Sequence, residues 1–192
     1  EGFYPPPPGL GDEYWYPLYE KLVQLDVPAL IHSTQYCNPR EPYTLHFINE
    51  ESIAIISLLE SRVFLDFPNL KLIVCHGGGA IPYQLGRFRA FYDRSGRRAL
   101  DERFEESLRR LNFDTALYSK EALELLFKVA GTRSCLFGSE RPGAGTAKDP
   151  ETGRSMDDLK FVIDGIDWLS SDDRQQIYEG NARRVFSRFR DR

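Results

Sequence analysis

The stretch LKLIVCHGGG, residues 70–79, decides the fold, because an apolar run of strand length ends abruptly at a histidine and three glycines. A strand buried on both faces is continuously apolar, whereas a half-exposed strand alternates polar and apolar side chains. Four such runs occur along the chain, at Val27–His32, Leu70–Cys75, Asn112–Leu117 and Arg133–Phe137. Each is followed by residues with helical spacing. Buried strands that alternate with helices predict an α/β fold with a parallel sheet and right-handed crossovers.

Predicted helices flank these strands. They cover Asp12–Asp26, a segment that begins at Asn49 or Glu50, Ile81–Tyr92, Leu100–Leu111, Lys120–Val129, Met156–Ile166 and Ser171–Phe189. Ser119 and Ser170 are placed to cap two of them. A chain of 192 residues has room for a single domain over residues 1–192. Its first segment, 1–11, is predicted to be extended, since four consecutive prolines favour polyproline II.

Composition excludes several classes of function. The 25 Lys and Arg residues against 29 Asp and Glu residues give a net charge of −4, which does not suit binding to a phosphate backbone. No apolar run reaches the ~20 residues of a membrane-spanning helix. Cys37, Cys75 and Cys135 are odd in number and widely spaced, which predicts free thiols and a cytoplasmic protein. The first residues show no secretory signal pattern, and we expect neither nucleic acid nor a membrane as a partner.

Polar side chains stand where the predicted strands end. His32, His76 and Glu140 each follow a buried strand, and the carboxyl edge of a parallel sheet is where active sites are built. Imidazoles and a carboxylate that converge there suit a divalent metal such as zinc. The alternative is that each is an ordinary polar residue at a strand exit. Because neighbouring residues of a strand point to opposite faces, an inward His76 predicts that Cys75 points toward the helices.

The three glycines after His76 have more than one interpretation. They let the backbone approach a ligand closely and expose N–H groups to an anion, or they form a plain turn. An esterase oxyanion hole is excluded because no G-x-S-x-G nucleophile elbow occurs in the chain. The loops near the strand ends carry cations that suit a substrate with several carboxylates or are plain surface charge. These cations are Arg40, Arg141, Lys148 and Arg154.

Several short motifs occur at or near the predicted strand ends and in the helices. They are LIVCHGGGAIPY (72–83), YPLYEKL (16–22), CNP (37–39), HFIN (46–49), DPETG (149–153) and YEGNARRV (178–185). The first resembles the amidohydrolase-2 group of metal-dependent barrel enzymes, which includes aromatic-acid decarboxylases. The others narrow the resemblance, within that group, to the 4-oxalomesaconate hydratases. The chain departs from the group at Phe47, where Tyr is usual, and at Thr146, where Arg is usual.

The resemblance implies that the four strands are the fifth to eighth of a (β/α)₈ TIM-type barrel, that is, its C-terminal half, with the helices outside. It implies a zinc ion bound by His32 and Glu140. It also implies that His76 and Glu140 carry the chemistry. The group's His-x-His pair on the first strand does not occur in these 192 residues. The residues expected to orient substrate carboxylates are Asn38, His46 in the loop after the first strand, Arg141 and Lys148.

Three hypotheses for function follow. Most of the group has Asp where Glu140 stands, and the hydratases have Glu after Ser, as in Ser139-Glu140. The resemblance therefore favours a lyase that adds water to an unsaturated oxo-tricarboxylate such as 4-oxalomesaconate in aromatic-compound catabolism. The alternatives are nonoxidative decarboxylation of an aromatic or muconate-type acid, and a non-catalytic half-barrel that needs a missing N-terminal half. A half-barrel exposes apolar surface, so we expect a homo-oligomer and little activity from these 192 residues alone.

Overall fold

The structure is a computed structural model that describes residues 7–33, 40–96 and 99–189. Its sheet contains four parallel strands in the order β1-β2-β3-β4. The strands are β1 (Ala29–Ile31), β2 (Leu72–Val74), β3 (Asn112–Asp114) and β4 (Cys135–Leu136). The predicted α/β fold with a parallel sheet is confirmed, and each strand lies inside one of the predicted apolar runs.

Helices connect and flank the strands. Their bounds are α1 (Tyr16–Leu25), α2 (Tyr43–Leu59), α3 (Val63–Asp66), α4 (Leu85–Ser95), α5 (Phe104–Leu108), α6 (Lys120–Ala130), α7 (Leu159–Asp164), α8 (Ser171–Gln175) and α9 (Asn181–Val185). A π-helical turn, Gln176–Gly180, joins α8 to α9, so the last predicted helix follows one almost continuous path. Within the described ranges, the helices are all too short or too polar to cross a lipid bilayer.

Local hydrogen bonds set several of the chain's helix ends. The predicted N-caps at Ser119 and Ser170 are confirmed, because each side chain accepts a hydrogen bond from the third backbone N–H of its helix. Of the predicted extended segment, residues 1–6 lie outside the described ranges. Residues 10 and 11 form a turn, which Asp12 N closes by donating to Gly9 O at 2.9 Å, so these two residues are not extended as predicted.

The start of α2 differs from the prediction. The Asn49 side chain donates to Glu41 Oε1 at 2.9 Å and does not cap the helix. The helix begins earlier, at Tyr43, directly after Pro42. His46 therefore lies in the first turns of α2 and not in the loop where the sequence placed it.

The two faces of the sheet are covered differently. Val74 and Phe113 point to the face that packs against the helices and belong to the main core. On the other face Ile73 packs against Val185 of α9, while Leu30 of β1, the register partner of Ile73, is 60% exposed. The prediction of burial on both faces is therefore right for β2 and wrong for β1, because in the described part of the chain α9 covers Ile73 and leaves Leu30 exposed.

A turn of glycines follows β2 and lets α2 lie close to the sheet. Gly77, Gly78 and Gly79 have φ values of +60°, +86° and +61°, which glycine adopts without the steric penalty of a Cβ. A Cβ at Gly79 would lie 2.5 Å from Ile48 O and 2.7 Å from Ser52 Oγ, both in α2. The absence of a side chain at this position is therefore a condition for the contact between the helix and the turn.

The N–H groups of this turn are used inside the protein. Gly77 N donates to the Asp114 carboxylate at 3.1 Å, and the next two glycine amides donate to backbone carbonyls of the same turn. The turn therefore serves close packing between α2 and the sheet. In the described part of the chain, its amides do not form a cradle for an anion.

Gly79→Ala is expected to lower the free energy of unfolding by about 2–4 kcal/mol. The new Cβ would clash with the backbone of α2, and alanine at residue 79 would have to adopt a positive φ. Gly86→Ala is the matched control, since no atom lies within 4 Å of where its Cβ would stand in α4. Alanine there should raise stability by about 0.5–1 kcal/mol. Urea unfolding measures both variants, and equal stabilities would contradict the packing role of Gly79.

Candidate functional site

Three predicted site residues meet at the carboxyl edge of the sheet. His32 follows β1, His76 follows β2 and Glu140 lies beyond the end of β4. The ring centroids of His32 and His76 are 5.3 Å apart, and His76 Nε2 lies 3.7 Å from Glu140 Oε1. The structure therefore brings together the two imidazoles and the carboxylate that the sequence indicated.

The ring of His32 is oriented by its backbone neighbour. His32 Nδ1 lies 3.1 Å from the carbonyl oxygen of Ser33, so Nδ1 carries a proton and donates it. Nε2 then holds a lone pair, and the residue is exposed. Metal-binding histidines use this arrangement, in which one ring nitrogen donates to a carbonyl and the other is open to a metal ion.

Glu51 in α2 is a site residue that the sequence analysis missed. Its Oε1 lies 2.6 Å from His76 Nδ1, and its side chain is completely buried. Burial raises the pKa of Glu51, and the hydrogen bond from His76 opposes that shift. The same hydrogen bond raises the pKa of His76, against the effect of burial. Glu51 and His76 thus form a carboxylate–imidazole pair on the side of the ring away from Glu140.

The position of Glu51 within the apolar face of α2 is a signal that the sequence carries. The buried residues of α2 lie three and four positions apart on one face of the helix, and they include Glu51, Ala54, Ile55, Leu58 and Leu59. A carboxylate within such an apolar stripe needs a partner, since an unpaired buried charge is costly. The pattern therefore indicates a special carboxylate, but it does not show which residue the carboxylate contacts.

Asp114, the last residue of β3, is the second missed residue. Its Oδ1 accepts hydrogen bonds at 3.1 Å from Gly77 N and from Ala116 N. Burial raises the pKa of Asp114, and these backbone donors oppose the shift. The predicted strand continued to Leu117, which hid the fact that Asp114 occupies the same strand-end position as the two histidines.

Cys75 points toward the site and not toward the helices, so the prediction for this residue is wrong. The register pairs Ile73 with Asn112, and therefore Cys75 and Asp114, two residues further along, share a face. The expected opposition of the two side chains fails at His76, because β2 has ended and His76 has a φ of +49°. Burial, and after it the Asp114 carboxylate, raises the pKa of the Cys75 thiol, which stays protonated at neutral pH.

Glu140 is held in place by Tyr118, whose hydroxyl donates to Glu140 Oε2. Glu140 Oε1 is the oxygen that faces His76. Burial, and then the hydrogen bond to Glu140, raises the pKa of Tyr118. His76, Tyr118 and Glu140 have φ values of +49°, +58° and +56°. Such a backbone costs a non-glycine residue about 1–3 kcal/mol and is concentrated at functional sites.

Phe47 lies near all three histidines. Its ring centroid is 5.2 Å from that of His32, 5.8 Å from that of His76 and 5.7 Å from that of His46. His46 Nδ1 lies 3.5 Å from Glu41 Oε2. The predicted substrate ligand His46 is therefore next to the site, and the ring of Phe47 contributes an apolar wall to it.

The other predicted substrate ligands lie further out. Arg141 Nη1 is 3.6 Å from Oδ1 of Asp157, whose side chain is fully buried, and the Arg141 side chain is 67% exposed. Lys148 is exposed, and its backbone forms an antiparallel bridge with Ser155. Neither cation forms a hydrogen bond or ion pair with the strand-end residues among the residues that are described. Asn38 lies outside the described residues.

The predicted metal site is incomplete in the described part of the chain. Nowhere in it do three or more His, Cys, Asp or Glu side chains come together in a way that could hold a metal ion. His32 Nε2 and Glu140 Oε1 have the donor chemistry of divalent-metal ligands, but a structural or catalytic site needs at least a third protein ligand.

Comparison with known sequences shows both hydratases and decarboxylases. The chain is 44% identical over 182 residues to 2-keto-4-carboxy-3-hexenedioate hydratase from Sphingobium sp. (strain NBRC 103272 / SYK-6), with 94% of this chain and 52% of that protein covered. It is 31% identical over 144 residues to 6-methylsalicylic acid decarboxylase from Penicillium expansum, with 70% of this chain and 44% of that protein covered. The chain thus spans about half the length of the curated relatives it matches.

Solved structures of both kinds of enzyme, a hydratase and a decarboxylase, also resemble this chain. The crystal structure of 4-oxalomesaconate hydratase from Rhodopseudomonas palustris matches with a TM-score of 0.82 at 39% identity, over 94% of this chain and 52% of that one. The structure of 2,6-dihydroxybenzoate decarboxylase from Rhizobium matches with a TM-score of 0.76 at 20% identity, over 97% and 59% of the two chains, and shares the fold. The sequence model of the amidohydrolase family matches residues 3–188. Since this match extends over nearly the whole chain, the chain belongs to the amidohydrolase family, as its motifs predicted.

Proposed function

We propose that this chain forms part of a hydratase that adds water across the C=C bond of an unsaturated oxo-tricarboxylate of the 4-oxalomesaconate type. The observation that carries the proposal is the alignment of Glu51, His76 and Glu140, with His32 beside them. The 44% identity to one hydratase and the 39% identity to another support it.

Hydration needs one group that takes a proton from water and another that gives a proton to carbon. Glu140 takes the proton as the water oxygen bonds to one carbon of the double bond, and His76 delivers a proton to the other carbon. The 3.7 Å between His76 Nε2 and Glu140 Oε1 places both groups around the same small space. His76 gives the Nε2 proton of its imidazolium form to carbon, while Glu140 keeps the proton from water. The cycle closes when that proton passes from Glu140 back to His76 Nε2. The residues proposed to orient the substrate carboxylates are Asn38, His46, Arg141 and Lys148.

We propose that His32 and Glu140 supply part of a site for zinc or a similar divalent metal. When bound, such a cation polarises the substrate and makes water more acidic. His32 fits this use, because its Nδ1 donates to Ser33 O and its Nε2 is left with a lone pair. Manganese is bound in structures of two decarboxylases of similar fold, at 19% and 20% identity. The further ligands would come from outside the described residues.

The four strands are proposed to be the fifth to eighth strands of a (β/α)₈ barrel. β1 and β4 are the edges of the described sheet, and a complete barrel takes about 250 residues. The match to 52% of the hydratase chain supports this assignment. The complementary half would come from outside these 192 residues or from a second copy in a homo-oligomer. A cytoplasmic location belongs to the same proposal, because Cys75 and Cys135 are free thiols.

Nonoxidative decarboxylation is the second candidate function. The 31% identity to 6-methylsalicylic acid decarboxylase favours it. The two reactions differ in their products, since a decarboxylase releases carbon dioxide and a hydratase forms a water adduct.

Full-length, metal-loaded enzyme is expected to convert 4-oxalomesaconate to its water adduct without releasing carbon dioxide. Glu140→Gln should lower kcat by about 100-fold or more, because an amide cannot take a proton from water. Loss of absorbance from the conjugated double bond gives the rate, and mass spectrometry identifies the adduct. Glu121→Gln, at an exposed position in the first turn of α6, is the control and should keep wild-type turnover.

Unchanged turnover in Glu140→Gln would refute the role given to this carboxylate. Release of carbon dioxide from an aromatic or muconate-type acid, with no adduct from 4-oxalomesaconate, would favour the decarboxylase.

The 192 residues by themselves are expected to retain less than one equivalent of zinc after dialysis, since no complete ligand group occurs in the described part of the chain. Elemental analysis by mass spectrometry measures the metal. His32→Ala should remove the residual zinc, whereas His46→Ala, which deletes an imidazole beside Glu41, should leave it unchanged. A full equivalent in the wild type and in His32→Ala alike would contradict the proposed ligand.

A further inference from the structure

We infer that Glu51 is a positioning residue, which orients the His76 imidazole so that Nε2 is the nitrogen that exchanges protons with the substrate. The orientation of the ring stands on the contacts of Glu51 and His76 themselves. Its importance for turnover rests on the proposed hydratase function.

The two ring nitrogens of His76 face different groups. Nδ1 lies 2.6 Å from Glu51 Oε1, which is a hydrogen-bond distance, whereas Nε2 lies 3.7 Å from Glu140 Oε1, which is beyond one. A carboxylate accepts hydrogen bonds, so the proton between Glu51 and His76 belongs to Nδ1. Nε2 is then the nitrogen that is left to gain and lose a proton.

The position of Glu51 is costly for folding. Its side chain is completely buried, and Oε2 has no hydrogen-bond partner among the described residues. A buried acceptor without a partner costs about 1–3 kcal/mol. The neighbouring stripe of Ala54, Ile55 and Leu58 would accommodate an apolar side chain at lower cost. Active sites often contain residues that lower stability, because activity needs them there. The cost of Glu51 therefore indicates that it contributes to the function of the adjoining site.

Hydrogen bonds next to Glu51 hold α2 against the turn that carries His76. Ser52 Oγ donates to a carbonyl oxygen of α2 at 2.6 Å and accepts from Ala80 N at 2.9 Å. Gly79 permits this approach because it has no Cβ. The carboxylate and the imidazole are therefore carried by two elements whose separation is fixed by packing and hydrogen bonding.

A purely structural role for Glu51 has a different consequence. If Glu51 only balances charge or fills space, its replacement changes stability and leaves the protonation of each His76 nitrogen as it was. If Glu51 orients the ring, its replacement changes which of the two nitrogens carries the proton. The nitrogen chemical shifts of the ring separate the two roles.

Nitrogen-15 NMR of histidine-labelled protein tests the inference. The chain has three histidines, so spectra of His32→Gln and His46→Gln assign the His76 signals. Neutral His76 in the wild type should show a protonated Nδ1 and an unprotonated Nε2. Glu51→Gln keeps the size of the side chain but offers an amide N–H to Nδ1. It should therefore move the proton to Nε2 in a large fraction of the molecules.

Glu50→Gln makes the same chemical change one residue away in α2 and should leave the His76 signals unchanged. Glu51→Asp withdraws the carboxylate by one methylene group and should weaken the Nδ1 hydrogen bond, which provides the same test if Glu51→Gln does not fold. Wild-type His76 signals in a folded Glu51 variant would overturn the inference. Equal changes in Glu50→Gln would overturn it as well.

Kinetics of the full-length enzyme give a second readout. Glu51→Gln should lower kcat about 10–100-fold with little change in KM, as expected for a group that orients another. A raised KM with unchanged kcat would contradict the positioning role. If the wild-type enzyme does not hydrate 4-oxalomesaconate at all, the proposed function fails, while the NMR result still decides the role of Glu51.

Discussion

A fully buried carboxylate is stable in a protein only when another group compensates its charge, and in this chain His76 Nδ1 compensates Glu51 at 2.6 Å. The contact requires α2 to lie against the turn after β2, and the glycines of that turn permit the approach. On its other side the imidazole faces Glu140 and lies close to His32. The geometry of the whole site therefore depends on the fit between one helix and one turn.

Features that follow from burial and from sheet geometry could be predicted from the sequence. Apolar runs mark the strands because most of their side chains are buried, although β1 is an exception, and strand and helix alternation then implies a parallel sheet. Parallel strands end at one edge, which is why His32, His76 and Glu140 could be expected to meet. The structure places His76 beside both His32 and Glu140. The family was predicted in another way, from the resemblance of the motif around His76 to the amidohydrolase group, and the family match over residues 3–188 confirms it.

Features that depend on partners distant in the sequence were missed. Glu51 and His76 are far apart in the chain, and the apolar stripe of α2 does not reveal the contact. The start of α2 was misplaced because Asn49 bonds to Glu41 instead of capping the helix. Asp114 was missed because the predicted strand continued to Leu117, whereas β3 ends at Asp114. Loops are harder still, because they have no hydrophobic period, and the sequence did not show that Arg141 lies beside Asp157.

The left-handed backbone at His76, Tyr118 and Glu140 has a consequence for the evolution of this fold. Glycine would relax each position, but it would delete an imidazole, a phenol or a carboxylate. Selection for thermal stability alone would therefore favour glycine at these positions, at the cost of the functional groups that their side chains carry. Engineers who seek a hardier version of this protein should leave the three positions untouched and look for gains in the outer helices.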